Sequence, residues 1–119
     1  MSDTNERVWR FYLDDMIGFA ENVVAYSDGL DQAKFVASGL NYDAVLRNLE
    51  LIGEAATHIP DAERVANSHI PWRMIIATRN RLIHGYLGID NDTLWSIVCN
   101  DTPVLLLQLL ALRQSLSGV

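Results

Sequence analysis

The strongest constraint on the fold of this chain is the helical spacing of its apolar residues. Val8, Tyr12, Met16, Phe19, Val23 and Tyr26 recur every three or four positions, the repeat that lines up side chains on one face of an α-helix. Breakers are sparse, with three prolines and seven glycines in 119 residues. The spacing predicts a first helix over about residues 4–26, with Thr4 as its N-cap and Ser27-Asp28-Gly29 as its end. A short helix over residues 31–38 follows, closed by Gly39 in the left-handed C-cap position. Asn41 is expected to cap a third helix carrying Tyr42, Val45, Leu46, Leu49, Ile52, Gly53 and Ala56, and ending near His58. Residues 60–70 read as an irregular connection with room for one helical turn at 61–65.

Pro71 suits the opening of a helix, because its fixed φ and missing N–H cost nothing in a first turn. That helix is expected over about residues 71–86, burying Trp72, Ile75, Ile76, Leu82 and Ile83, with Gly85 and Gly88 at its exit. Asp90 or Asn91 caps a last helix with Leu94, Ile97, Val98, Leu105, Leu106, Leu109 and Leu112 on its apolar stripe. Pro103 should kink it. The whole reads as an all-α, up-and-down bundle of four main helices plus a short one, forming a single domain over residues 1–119.

Composition narrows the setting. No uninterrupted apolar run approaches the roughly 20 residues of a membrane span, and residues 1–10 are polar and mixed in charge, unlike a secretory signal. A cytoplasmic protein with no membrane partner is expected. The single cysteine, Cys99, has no partner for an intramolecular disulfide or a cysteine-based zinc site and is expected as a buried thiol. The net charge of −6 argues against binding nucleic acid through the overall field. Its distribution is uneven: residues 1–59 hold ten acids against four bases, whereas residues 60–119 balance to zero. The run from Arg64 to Ile89 contains Arg64, Arg73, Arg79 and Arg81 with His69 and His84, and no acid at all. A locally positive face of this kind guides a polyanion into a cleft, with Arg73 and Arg81 as candidate substrate-binding groups.

Within that run, Arg79-Asn80-Arg81-Leu82-Ile83-His84-Gly85-Tyr86 gathers two guanidiniums, an imidazole and a phenol within about two helical turns. Arginine holds a phosphate as a planar fork of donors, and histidine exchanges a proton near neutrality. Asn80 and His84 are i and i+4 neighbours, so the amide could fix the imidazole tautomer. Arg79 and His84 diverge by about 140° on an ideal helix; a second subunit related by a two-fold axis would reunite them. Each residue also has a plainer reading: His84 as a hydrogen-bonded core histidine, Arg79 as an ion pair to Glu50 or Glu54, Tyr86 as an amphipathic core residue. His58 and His69 read as surface residues. Asp14 with Asp15, or Glu50 with Glu54, lack the accompanying Glu-x-x-His of a bundle metal site, so neither metal nor cofactor is expected.

The order Arg, four residues, His, one residue, Tyr resembles the signature of the HEPN superfamily, and most closely its HepT-like branch. The likeness extends to the opening helix, to Asn41–Ala55, to Ile70-Pro71-Trp72 and to Arg79–Asp90. It implies an α-helical homodimer with a metal-independent ribonuclease cleft at its interface, in which Arg79 and His84 fall on the family's catalytic positions and Asn80 on its polar position. It further implies a partner antitoxin, a minimal nucleotidyltransferase that silences the toxin by transferring AMP to Tyr86. RNA would be the substrate. The competing expectation is a non-catalytic helical module that binds or positions substrate for such a nucleotidyltransferase.

Overall fold

The computed structural model describes residues 2–85 and 89–117. Four long helical stretches carry the fold. They are α1 (Ser2–Ser27), α3 (Leu40–Ala56), α5 (Trp72–Ile83) and a continuous run made of α6 (Asn91–Ser96), a π-helical turn (Ile97–Asp101) and α7 (Thr102–Ser117). Two short helices rather than one join them, α2 (Gln32–Ala37) and α4 (Asp61–Ala66). No strand occurs among the described residues, and the all-α bundle is as the sequence predicts. α1 is central, packed against α3 on one side and α7 on the other, while α5 lies on the far side of α3. The helix carrying the Arg-His motif is therefore at an edge of the bundle.

The core is drawn from every long helix: Trp9, Leu13, Met16, Ile17, Ala20 and Val23 from α1, Val45, Leu49 and Ile52 from α3, Trp72 and Ile75 from α5, and Leu94, Val98, Leu105, Leu109 and Leu112 from the last run. In α1 the buried stripe is rotated from the expected one. Trp9, Leu13 and Ile17 point inward, whereas Val8 and Tyr26 are exposed. Two apolar stripes overlap on this helix, and the one centred on Trp9 and Leu13 faces both α3 and α7. Asn22 and Asn48 pair across the α1–α3 seam at 3.1 Å, and the Asn48 amide also donates to the Ala44 carbonyl, so this partly buried polar pair is satisfied.

Local chemistry sets the helix ends, with several departures from expectation. Gly39 has φ +64°, the left-handed geometry that suits a residue following a helix C-cap. It is also the N-cap of α3, so Asn41 lies inside that helix, where its amide donates to the Tyr26 carbonyl and ties down the end of α1. α1 begins at Ser2, which places Thr4 within it. Pro71 is at the cap position rather than the first turn of α5, and the Trp72 indole N–H donates to the Asn67 carbonyl at 3.0 Å. Asp90 caps α6 by accepting from the Thr93 backbone N–H and hydroxyl.

The effect of Pro103 is a π-helical turn rather than a plain kink. A proline crowds the carbonyl four residues back and offers no donor, and the wider turn at Ile97–Asp101 just before it relieves that conflict. Thr102 completes the repair, because both its backbone N–H and its hydroxyl are directed to the Ile97 carbonyl. Cys99 lies in this turn and is exposed, not buried; partial desolvation of its thiol still pushes its pKa up, making it a weaker acid than usual. Asn91–Ser117 form 27 helical residues with mean hydropathy 1.4 over their most apolar window. That is enough for a membrane span by length and composition, but the inward-facing leucines of this run are those of the bundle core.

Candidate active site

The site is built where α5 crosses α3. A helix glycine between good helix formers is unfavourable unless close packing requires it, and Gly53 of α3 meets that requirement. A Cβ there would fall 2.2 Å from Arg79 Cβ and 3.0 Å from the Ile75 carbonyl oxygen. The two backbones thus approach closely enough for the arginine stem to lie directly on α3. At its head, Arg79 Nη2 donates to Glu54 Oε2 at 2.6 Å and Nη1 donates to Asn80 Oδ1 at 2.8 Å. The Arg79 side chain remains 29 % exposed.

The chain of contacts continues beyond Glu54. Its second oxygen, Oε1, is 3.6 Å from His58 Nε2, and the His58 ring stacks on Tyr12 of α1 with centroids 4.3 Å apart and planes inclined by 10°. Three helices thereby contribute to one line of contacts, a ring stack followed by polar groups, that ends on the motif arginine. His58 was read from sequence as an isolated surface residue; it is exposed, but it is not without company.

His84 is placed differently. It is the C-cap of α5, exposed, with its backbone N–H donated to the Asn80 carbonyl. Gly85 follows with φ +67°, which stops the helix at a conformation that side-chain-bearing residues avoid. The helix therefore ends at Ile83 rather than at residue 86, and Ile83 is 51 % exposed instead of buried. Asn80 does not steer the imidazole as its spacing allowed. Its side-chain oxygen Oδ1 is taken by the adjacent guanidinium in a charge-assisted bond.

The remaining candidates are dispersed. Arg81 is exposed in the last turn of α5. Arg73 lines an open groove with Arg64, Val65 and Met74, between α4 and the first half of α5. Tyr86 lies outside the described residues. The structure thus unites Arg79 and Asn80, leaves His84 one turn further along the same helix, and sets Arg73 apart. Gly53 and Glu54 are the members that the motif alone did not reveal, although an isolated glycine in a helical pattern is a sequence signal of close backbone approach.

An all-α bundle whose edge helix presents a held guanidinium and an exposed imidazole has the architecture of a HEPN domain. The chain belongs to the HepT-like family of the HEPN superfamily: the family model described as "Ribonuclease HepT-like" matches residues 16–112. Among curated relatives, "Putative RNase MJ1380" of Methanocaldococcus jannaschii is 35% identical over 99 residues, covering 83% of this chain and 91% of the relative. "Probable ribonuclease HepT" of Thermococcus cleftensis is 34% identical over 100 residues, with coverage of 84% and 91%. "Putative RNase TTE0752" of Caldanaerobacter subterraneus is 31% identical over 96 residues, with coverage of 81% and 86%. No solved structure gives a significant match.

Proposed function

We propose that this chain is a metal-independent endoribonuclease, the toxin of a toxin–antitoxin pair, acting in the cytoplasm as a homodimer of single-domain subunits. The observation that carries the reading is Arg79, fixed at the bundle edge and still open to solvent, with His84 exposed at the end of the same helix. Arg79 would stabilise the charge that builds on the phosphorane-like transition state. His84 would take the proton of the ribose 2′-OH or deliver one to the 5′-oxygen, with the second subunit's copy available for the other role. The products would be a 2′,3′-cyclic phosphate and a 5′-hydroxyl, and DNA would resist for want of the 2′-OH. Arg81 and Arg73 would contact RNA outside the reacting phosphate. The divergence of Arg79 and His84 along α5 favours a dimer cleft. The donor set favours chemistry without a metal, since no group of three His, Cys, Asp or Glu suited to an ion occurs among the described residues.

The names of the relatives support RNA as substrate. Control would come from a cognate minimal nucleotidyltransferase that attaches AMP to Tyr86. The direct test is incubation of the purified protein with RNA in excess EDTA. Cleavage is expected, with loss in both Arg79→Ala and His84→Ala while far-UV circular dichroism is unchanged. Activity that needs added metal, or that survives both substitutions, would overturn the reading. One observation favours the second possibility, a non-catalytic module that positions substrate for the nucleotidyltransferase: Arg79 already has an anionic partner in Glu54. Under that reading, both variants would leave RNA untouched, as would the wild type, and only binding to the partner would change.

A further inference from the structure

We infer that Gly53 and Glu54 of α3 form a seat that positions Arg79, making them positioning residues for the reaction; the inference rests on the ribonuclease reading above. A free arginine samples many rotamers, and a donor that must be ordered during the reaction contributes less than one already in place. Here the order is built in at both ends of the side chain. Gly53 admits the stem, since a Cβ in its place would stand 2.2 Å from Arg79 Cβ and 2.9 Å from Cγ. Glu54 holds one corner of the head through Nη2 at 2.6 Å, and Asn80 holds the other through Nη1 at 2.8 Å. Each terminal nitrogen carries two N–H groups, so both retain a donor for a phosphate after these bonds are made.

Glu54 is itself restrained. Its Oε1 is 3.6 Å from His58 Nε2, and His58 is stacked on Tyr12 of α1, so the carboxylate has a neighbour on its other side as well. An ion pair whose partners are 29% and 48% exposed contributes little to folding stability. Its consequence should therefore be read in turnover rather than in unfolding, and this separates a seat from a stabilising surface contact.

The experiment compares full-length wild type, Glu54→Ala and Glu54→Gln. The readouts are kcat and KM on an RNA oligonucleotide in EDTA, thermal midpoints, and the side-chain 15N–1H signals of Arg79. Glu54→Ala should lower kcat by about tenfold or more, as expected when a reacting group is misplaced, with a small change in KM and an unchanged midpoint. Glu54→Gln retains an acceptor and should recover most of that loss. Separate Nη signals, marking restricted rotation, should appear in wild type and Glu54→Gln and average in Glu54→Ala. Unchanged kcat in Glu54→Ala overturns the seat, as does a lower KM with kcat intact, which would make Glu54 a competitor of the phosphate. Equal loss in both variants with Arg79 still held would also overturn it, since Glu54 would then act through its charge. Should wild type cleave no RNA, the ribonuclease reading fails; averaged Arg79 signals in wild type overturn the seat independently of cleavage.

Discussion

At the residue scale, the two ends of the loop after α5 carry distinct chemistry. Tyr86 follows Gly85 in the motif, and under the proposed function an AMP ester on it would add a bulky anion that competes with RNA. Tyr86→Phe loses only a hydroxyl, so it should remain toxic in cells even with the nucleotidyltransferase co-expressed. Mass spectrometry of the co-expressed wild type should place the AMP increment on this residue; an increment elsewhere would contradict the assignment. At the other end, Asp90 accepts two hydrogen bonds from Thr93, which hold its carboxyl below the ordinary value of 3.8. The folded state therefore favours the charged form. Its stabilisation is complete above the ordinary value and fades as pH falls through the lowered one. Asp90→Ala should melt below wild type at neutral pH, and the gap should narrow as pH falls below 3.8; a gap that widens in acid would contradict this cap.

At the scale of elements, the α3–α5 crossing depends on one missing side chain. Gly53→Ala must push Arg79 and the Ile75 carbonyl away together, because the clash is with groups fixed to the backbone of α5 rather than with a mobile tip. The expected penalty is about 1–3 kcal/mol, measurable by denaturant unfolding, together with loss of any RNA cleavage. Equal stability and equal activity would mean that the helices separate without consequence. The helices themselves were legible from sequence because their apolar repeats are long and their breakers few. The rotated stripe of α1 was not, since Val8 and Tyr12 offer a repeat as regular as that of Trp9 and Leu13, and only the neighbours on both sides decide between them. Asn41 misled for a related reason: it is a good capping residue, but Gly39 already turns the chain. Arg79 and His84 were legible as a pair of residue types. The Glu54 contact stood only as one of two alternatives for Arg79, because sequence spacing within one helix says nothing about which turn of another helix lies opposite.

At the scale of the whole molecule, α5 packs chiefly on α3 at the edge of the bundle, with Met74 and Ile83 exposed on different faces of it. The proposed second copy would bring its own Arg79 and His84 beside this edge helix. Mixing Arg79→Ala and His84→Ala proteins under subunit exchange should restore activity in the heterodimer if the two groups act across subunits. Inactive, verified heterodimers would place both groups within one subunit, and a monomer by sedimentation at micromolar concentration would remove the shared cleft. The π-helical turn before Pro103 has a consequence of another sort, for which changes of length this fold can tolerate. The turn takes in one residue more than an α-turn would, with Leu94 and Val98 in the core on its near side and Leu105, Leu109 and Leu112 in the core beyond it. Deleting exposed Asn100 would remove that extra residue and let the segment close as an ordinary α-turn, with the leucines of α7 kept on their present faces. A chain shortened by one residue at this turn should therefore keep its core, whereas the same deletion within the regular helix on either side would turn everything after it by about 100° and carry its leucines toward water.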